Sequence, residues 1–331
     1  MKIIRATENK IRALICFIAL AVCAGGVPAQ TWPVKPVRVI VGFAVGVSPD
    51  LFLRAALETL SKRTGQSFVV DNITGGGGLI AAQTAARATP DGYTLYMPGV
   101  GVVATDRYMY KNLPYDPDKS FIAASMLYVS GGAFAIAVHP DLKVNTLVEL
   151  IALAKTKPGI LNYGSDTIGV TAIVGQWFNK VAGIDMVAVP YKSPAQLMQD
   201  FVSGRTQVAI TTTTNLEPFR KSGKFKILGV SGLERNIGME EIPAIAETLP
   251  GFKMYGLGML MAPSGTPAPV IARINSEMDA IIKDQAYQQR ATQFGYLRIP
   301  GAGSAQSIAE FIASEREYWG TIMKGLNVQP Q

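Results

Sequence analysis

The chain has 331 residues, 48% of them hydrophobic, with 31 Lys and Arg against 24 Asp and Glu and a net charge of +7. That length is enough for two domains with cores of their own, at roughly 100–200 residues each. The mildly basic balance, with no Lys/Arg run and no basic–aromatic interleaving, argues against a nucleic-acid partner, and two cysteines with a single histidine, His139, leave little for thiol, imidazole or metal chemistry.

Residues 1–29 read as a secretory signal. Lys2, Arg5, Lys10 and Arg12 form a basic start, residues 13–24 are apolar but too short to span a bilayer, and Val27-Pro28-Ala29 puts small residues before a cut after Ala29. The rival is a lipid anchor on Cys23, but Val22 stands where acylation signals carry Gly, Ala or Ser. Cleavage removes both Cys16 and Cys23 and lowers the charge to about +4. The exported chain then depends on burial and hydrogen bonds, without disulfides.

Past the signal, strand-like runs alternate with helical spacing. Residues 37–43 and 67–70 read as strands flanking a helix over 48–64, in which Leu51, Ala55, Leu57 and Leu60 recur at near-helical spacing. A helix near 79–87, a Pro90-Asp91-Gly92 turn and a strand over 94–97 follow. Further strands are expected at 134–138, 161–163, 187–189 and 208–210. Thr146 with Glu149 fits a capping box that starts a helix, and 267–283 and 304–324 are helical. This is the rhythm of a parallel α/β sheet. The stretches 125–138 and 251–263 are where the chain is expected to cross between domains.

Four strand-to-helix turns could hold a ligand. In Phe43-Ala44-Val45-Gly46-Val47-Ser48-Pro49-Asp50 a strand ends in a glycine turn, Ser48 is placed to cap a helix and Pro49 to open it. Free N–H groups there attract a carboxylate or phosphate without a cationic side chain; an ordinary well-made turn fits the same residues. Asp50 can serve the helix dipole or hold a ligand's amino group. Gly75 to Gly78 lacks P-loop Lys-Ser/Thr and reads as a place where backbone crosses tightly near the first turn. The turns 163–171 and 191–194, and the hydroxyls of 211–214, complete the set, and such turns at strand C-termini build clefts in open α/β sheets. Lys192 is solvated or faces the ligand; the threonines could equally be plain strand-end residues. No GxSxG elbow, HExxH or cysteine nucleophile is present, and His139 reads as a strand-end surface residue.

The ordered set Trp32-Pro33, Lys35-Pro36-Val37, Gly46-x-Ser48-x-Asp50-xxx-Arg54, Asn72-xx-Gly75-x-Gly77-Gly78, Pro90-Asp91-Gly92-Tyr93-Thr94-Leu95 and Leu113-Pro114-Tyr115-Asp116 resembles one family. So do Lys157-Pro158-Gly159, Leu161-Asn162-Tyr163-Gly164-Ser165, Val189-Pro190-Tyr191-Lys192 and Ala262-Pro263-xx-Thr266-Pro267. It is the substrate-receptor family of tripartite tricarboxylate transporters, the Bug receptors. The resemblance implies a periplasmic binding protein of the two-domain Venus-flytrap type (type II), with two crossing hinge strands. Domain 1 comprises 30–130 plus 256–331, and domain 2 comprises 131–255. It also implies a monomer without cofactor, metal or catalytic residues, which grips a small carboxylate through main-chain N–H groups and ordered water and hands it to an inner-membrane permease. A receptor reporting to a sensor kinase and an exported hydrolase or isomerase on a similar scaffold are the rival readings.

The ligand-binding set expected from these turns is Phe43, Ala44, Gly46, Val47, Ser48, Asp50, Gly99, Val100, Ser165, Gly169, Thr171, Tyr191, Lys192, Ser193, Thr211 and Thr212. The chain departs from the family pattern in several places. Val45-Gly46-Val47 replaces Pro-Gly-Gly, the loop between Ser165 and Ile173 is one residue short, and Ala172 stands where a histidine is common. Thr211-Thr212 replaces Asp-Asn, and Gly258-Met259 an aromatic–glycine pair. A less acidic, more apolar pocket is expected from these changes, suited to an uncommon or aromatic carboxylate more than to an amino acid.

Overall fold

A computed structural model describes residues 32–166, 169–297, 299 and 301–330. The signal segment, its cleavage point and both cysteines lie outside the described residues. Contacts separate Met1–Lys35 from Pro36–Gln331, and the second unit carries every strand.

That unit is α/β and holds two five-stranded sheets. The first is ordered β2-β1-β3-β10-β4, from Val37–Val41 (β1), Phe68–Asn72 (β2), Thr94–Met97 (β3), Phe121–Ser130 (β4) and Gly256–Pro263 (β10). The second is ordered β7-β6-β8-β5-β9, from Phe134–Val138 (β5), Asn162–Asp166 (β6), Val187–Tyr191 (β7), Val208–Thr212 (β8) and Lys226–Val230 (β9). β1 pairs parallel with β2 and β3, and β6 with β7 and β8. The sheets are mixed, however, where a purely parallel rhythm was expected. β10 runs antiparallel to β3 and β4, and β5 to β8 and β9. These are the strands at the crossings. The chain leaves β4 at Ser130 and enters β5 at Phe134, too short a link for the helix that a parallel return needs. It comes back after β9 and re-enters the first sheet at Gly256.

Each sheet is covered by helices whose apolar spacing meets it. In β1 Val37, Val39, Ile40 and Val41 are wholly enclosed and Arg38 alone is exposed, close to what a strand covered on both faces requires. Against the first sheet, α1 (Ser48–Thr64) buries Phe52, Leu53, Ala56, Leu57 and Leu60 along one face, each large side chain contributing about 1.5–3 kcal/mol. A left-handed Gly65 stops the helix. Leu79–Ala86 (α2) follows the glycine run, Leu147–Thr156 (α3) and Val170–Ala182 (α4) cover the second sheet, and Pro194–Val202 (α5) packs over β6, β7 and β8. Ala268–Ile282 (α6), Gln285–Gln293 (α7) and Ala305–Gly325 (α8) close the chain.

α8 connects the two cores. Ile308 and Ile312 pack with Met259 and Met261 of β10, whereas Trp319, Ile322 and Met323, at the other end, share a cluster with Phe134 and Ile210 of the second sheet, Phe178 of α4 and Phe252. Lys180 of α4 also donates to the Gly325 carbonyl. Among the described residues no helix is long and apolar enough to cross a membrane.

Candidate functional site

The C-terminal ends of the parallel strands in both sheets open on one cavity of about 540 Å³. β1 leads into Phe43 and the start of α1, β3 into Gly99 and Val100, β6 into Gly169 and the start of α4, and β8 into Thr212, Thr213 and Thr214. The residues that follow β1, β3 and β6, and Thr212 to Thr214 at the end of β8, are wall residues. This is where open α/β sheets place ligands.

The two long-helix starts on this cavity carry no side-chain cap. α3, α5, α7 and α8 each begin with a side chain accepting from a first-turn N–H, from Thr146, Ser193, Asp284 and Ser304 respectively. None of these four caps lies on the cavity wall. α1 and α4, whose first residues do, have no side-chain cap. Val47, not Ser48, holds the cap position of α1, and Ser48 already belongs to the first turn. α4 starts from Gly169, whose φ of 139° and missing side chain provide no side-chain cap. α2, at Gly78, and α6, at Pro267, also begin without a side-chain cap, off the cavity wall. The starts of two long helices without side-chain caps, with the positive ends of their dipoles, make the cavity attractive to carboxylates without any lysine.

The first turn is held by an internal network. Asp50, fully buried, accepts from the Gly46 amide, Arg54 Nε and Asn72 Nδ2, each at 2.9 Å. Asn72 also donates to the Phe43 carbonyl at 3.0 Å and accepts from Arg54 at 2.7 Å. Burial works to raise the Asp50 pKa, but the bonds from Arg54, Asn72 and Gly46 prevail and hold it below the usual carboxylate range. Asp50 therefore fixes the loop and does not reach the cavity. The glycine run meets the end of β1 closely, since a Cβ on Gly42 would lie 3.2 Å from the Gly78 Cα.

Of the expected ligand-binding residues, Phe43, Ser48, Gly99, Val100, Gly169, Thr171 and Thr212 line the cavity. Ala44, Gly46 and Val47 belong to the same turn but lie off the wall, and Ala44 and Gly46 are exposed. Ser165 is buried at the end of β6, also off the wall. Tyr191 shares a 2.6 Å hydrogen bond with Thr206 and donates to Asp200 at 3.1 Å, which locks β7 to α5. Lys192 is exposed and Ser193 caps α5. Thr211 is buried and accepts from Asn215 at 2.8 Å, whereas Thr212 and Thr214 share a 2.8 Å bond on the wall. His139, just past β5, accepts from the Asp141 amide at 3.4 Å and is not on the wall.

The rest of the wall was not legible as a motif. Tyr128, Phe294 and Tyr296 form an aromatic side, with Tyr128 stacked on Tyr296 at 3.8 Å and 4°. Ile237, Met239 and Leu257 add apolar surface. Two acids, Asp106 and Glu217, also stand on the wall. Arg220, the one cation among the described wall residues, is engaged by Glu217 at 2.8 Å and Glu241 at 3.0 Å. Asp106 follows a π-helical turn, Gly101–Thr105, and burial pushes its pKa up to about 6, with a bond donated by Tyr115 at 3.0 Å working the other way. Among the described residues no three His, Cys, Asp or Glu side chains gather as a metal site would require.

A family model described as "Tripartite tricarboxylate transporter family receptor" matches residues 52–328. The chain belongs to this receptor family. A UPF0065 protein of Bordetella bronchiseptica is 33% identical over 318 residues, covering 96% of this chain and 93% of that one. Among solved structures, R. palustris Rpa4515 with adipate superposes with a TM-score of 0.82 at 29% identity, covering 91% of this chain and all of its own. The periplasmic binding protein BugD does so at 0.78 and 26% identity, with 91% and 100% coverage. The fold is accordingly that of the two-domain periplasmic solute receptors, and its two passages between sheets are the hinge crossings.

Proposed function

We propose that the mature protein, after cleavage near Ala29, is a periplasmic receptor that closes on a small organic carboxylate and delivers it to a membrane permease of the tripartite tricarboxylate type, acting as a monomer without catalysis. Residues 30–130 with 256–331 form one lobe and 131–255 the other, closing about the β4–β5 link and the return into β10. The reading is carried by the uncapped starts of α1 and α4, one from each sheet, on a shared cavity. The family match and a neighbour whose structure contains adipate support it.

A thermal-shift screen of mono-, di- and aromatic carboxylates on the mature chain tests it. A ligand at 100 times its Kd adds about 2.7 kcal/mol of stability. The Ser48→Pro variant removes one first-turn N–H and is expected to abolish the shift with the fold retained. No shift from any acid, or wild-type affinity in folded Ser48→Pro, refutes the reading.

A further inference from the structure

Two wall residues, Asp106 and Asn236, each carry a side-chain oxygen without a hydrogen-bond partner among the described residues. Asp106 is 6% exposed and on the wall. Its Oδ2 receives the Tyr115 hydroxyl at 3.0 Å, while its Oδ1 has no hydrogen bond among the described residues. That oxygen lies against the wall residue Gly101, 2.8 Å from where a Cβ there would stand. Glycine at 101 is thus what leaves room for the carboxylate.

Asn236, 3% exposed and also on the wall, has a side-chain oxygen with no partner. Its amide is wedged between glycines, because a Cβ on Gly132 would lie 2.6 Å from Cγ and one on Gly295 2.4 Å from Nδ2. Leaving the buried Asn236 oxygen unpaired costs free energy that a ligand donor recovers.

We propose that Asp106 is a specificity-determining residue that accepts a hydrogen bond from a protic group, hydroxyl or ammonium, on the bound carboxylate, and that it rejects a second carboxylate at that position. The proposal rests on the receptor reading above and selects within it. The helix amides suit one carboxylate. A second one near Asp106 meets a negative charge and, among the described wall residues, no available cation, since Arg220 is held by two glutamates. Cations near Asp106 in the chain are also engaged elsewhere, Arg107 and Arg316 both pairing with Asp118. The titratable groups that face Asp106 are tyrosines, Tyr96 of β3, Tyr110 and Tyr115. The aromatic and aliphatic wall takes the ligand's carbon chain.

The experiment compares four acids of one length on the mature wild-type protein and on Asp106→Asn, by titration calorimetry at pH 5 and pH 8: 6-aminohexanoate, 6-hydroxyhexanoate, hexanoate and adipate. Wild type is expected to bind the amino and hydroxy acids more tightly than hexanoate, and adipate most weakly. At pH 8 Asp106→Asn is expected to lose about tenfold or more for 6-aminohexanoate, as one charged hydrogen bond implies, and to gain for adipate. The wild-type-to-variant affinity ratio for 6-aminohexanoate is expected to rise roughly tenfold from pH 5 to pH 8 as Asp106 ionises, the ligand's own titration cancelling. If the variant does not fold, the wild-type order of the four acids decides. Adipate binding tightest in wild type, or a ratio constant within about twofold across acids and pH, overturns the role of Asp106 while the receptor reading stands. No binding by these four acids, together with no shift in the broad carboxylate screen, overturns both.

Discussion

Replacing Asp50 by Asn keeps the shape of the side chain and removes its charge, which makes it a direct test of how the first turn is held. The carboxylate receives three donors at 2.9 Å while fully buried. Asn offers a single acceptor oxygen and turns an N–H₂ group toward the remaining donors. Bonds from Gly46 and Asn72 to a buried charged acceptor contribute about 1.5 kcal/mol each. Arg54 is 40% exposed, so its pairing adds about 0.5–1 kcal/mol after solvent screening. The expected loss is about 3–4 kcal/mol, read as a lower urea midpoint with an unchanged slope. The loop carrying Phe43 and the α1 start is released at the same time, so carboxylate affinity is expected to fall at least tenfold. The depressed pKa also fixes a pH window. The Asp50 contribution is fully present above the unfolded-state value of about 3.9 and is lost as pH falls through the lower folded-state pKa. Asp50→Asn is therefore expected to flatten the acid limb of the stability profile. A variant within about 0.5 kcal/mol of wild type at pH 7, with unchanged affinity, refutes the reasoning.

Gly258→Ala is expected to destabilise by about 1–3 kcal/mol in urea titrations and to weaken ligand binding. The added Cβ would stand 2.1 Å from Tyr128 Cε1, and that ring is stacked on Tyr296 and packed by Phe52, so it has nowhere to go; a neutral effect disproves the wedge. Thr146→Ala and Ser193→Ala each remove a helix cap away from the cavity and are expected to cost about 1 kcal/mol with ligand Kd unchanged. A change in Kd for either variant contradicts the separation of these two caps from the helix starts on the cavity.

Local signals made much of this fold readable in the chain. The largely apolar run of β1, the Ser-Pro-Asp start of α1 and the Thr146–Glu149 pair all specify their own neighbourhoods. The capping box forms with a shift, in that Glu149 receives the Asn145 amide at 2.6 Å and not that of Thr146. β4, with Ala123, Ala124 and Ser125 at its centre, shows no alternation, and β9 carries Gly229 in a five-residue strand. Both are strands because distant partners pair with them, β10 in one case and β5 in the other. The same limit applied to the site. The strand-to-helix turns were visible, but Asp106, Asn236 and Tyr296 come together only through the crossing of the chain. A π-helical turn, an isolated Asn after β9 and a Gly-Tyr turn after α7 carry no motif that marks a common wall.

On the proposed reading, binding and selection are supplied by different parts of the molecule. Main-chain amides at α1 and α4 can attract any carboxylate, because their charge comes from the helix and not from a side chain. Changing Val45, Val47 or Ala172 leaves that attraction intact, which is consistent with a family fold retained through departures at those positions. Selection falls to side chains that the fold holds in place without fully satisfying them. Asp106 sits where a glycine at 101 admits it, Asn236 between Gly132 and Gly295, and the tyrosine stack where Gly258 leaves a gap. In each case a missing Cβ creates the space in which a specific group can face the ligand. Glycines of this kind determine the cavity's chemistry by what they accommodate, so enlarging Gly101 is equivalent to displacing Asp106. Affinity for carboxylates in general and preference among them are then separable properties, altered by different substitutions.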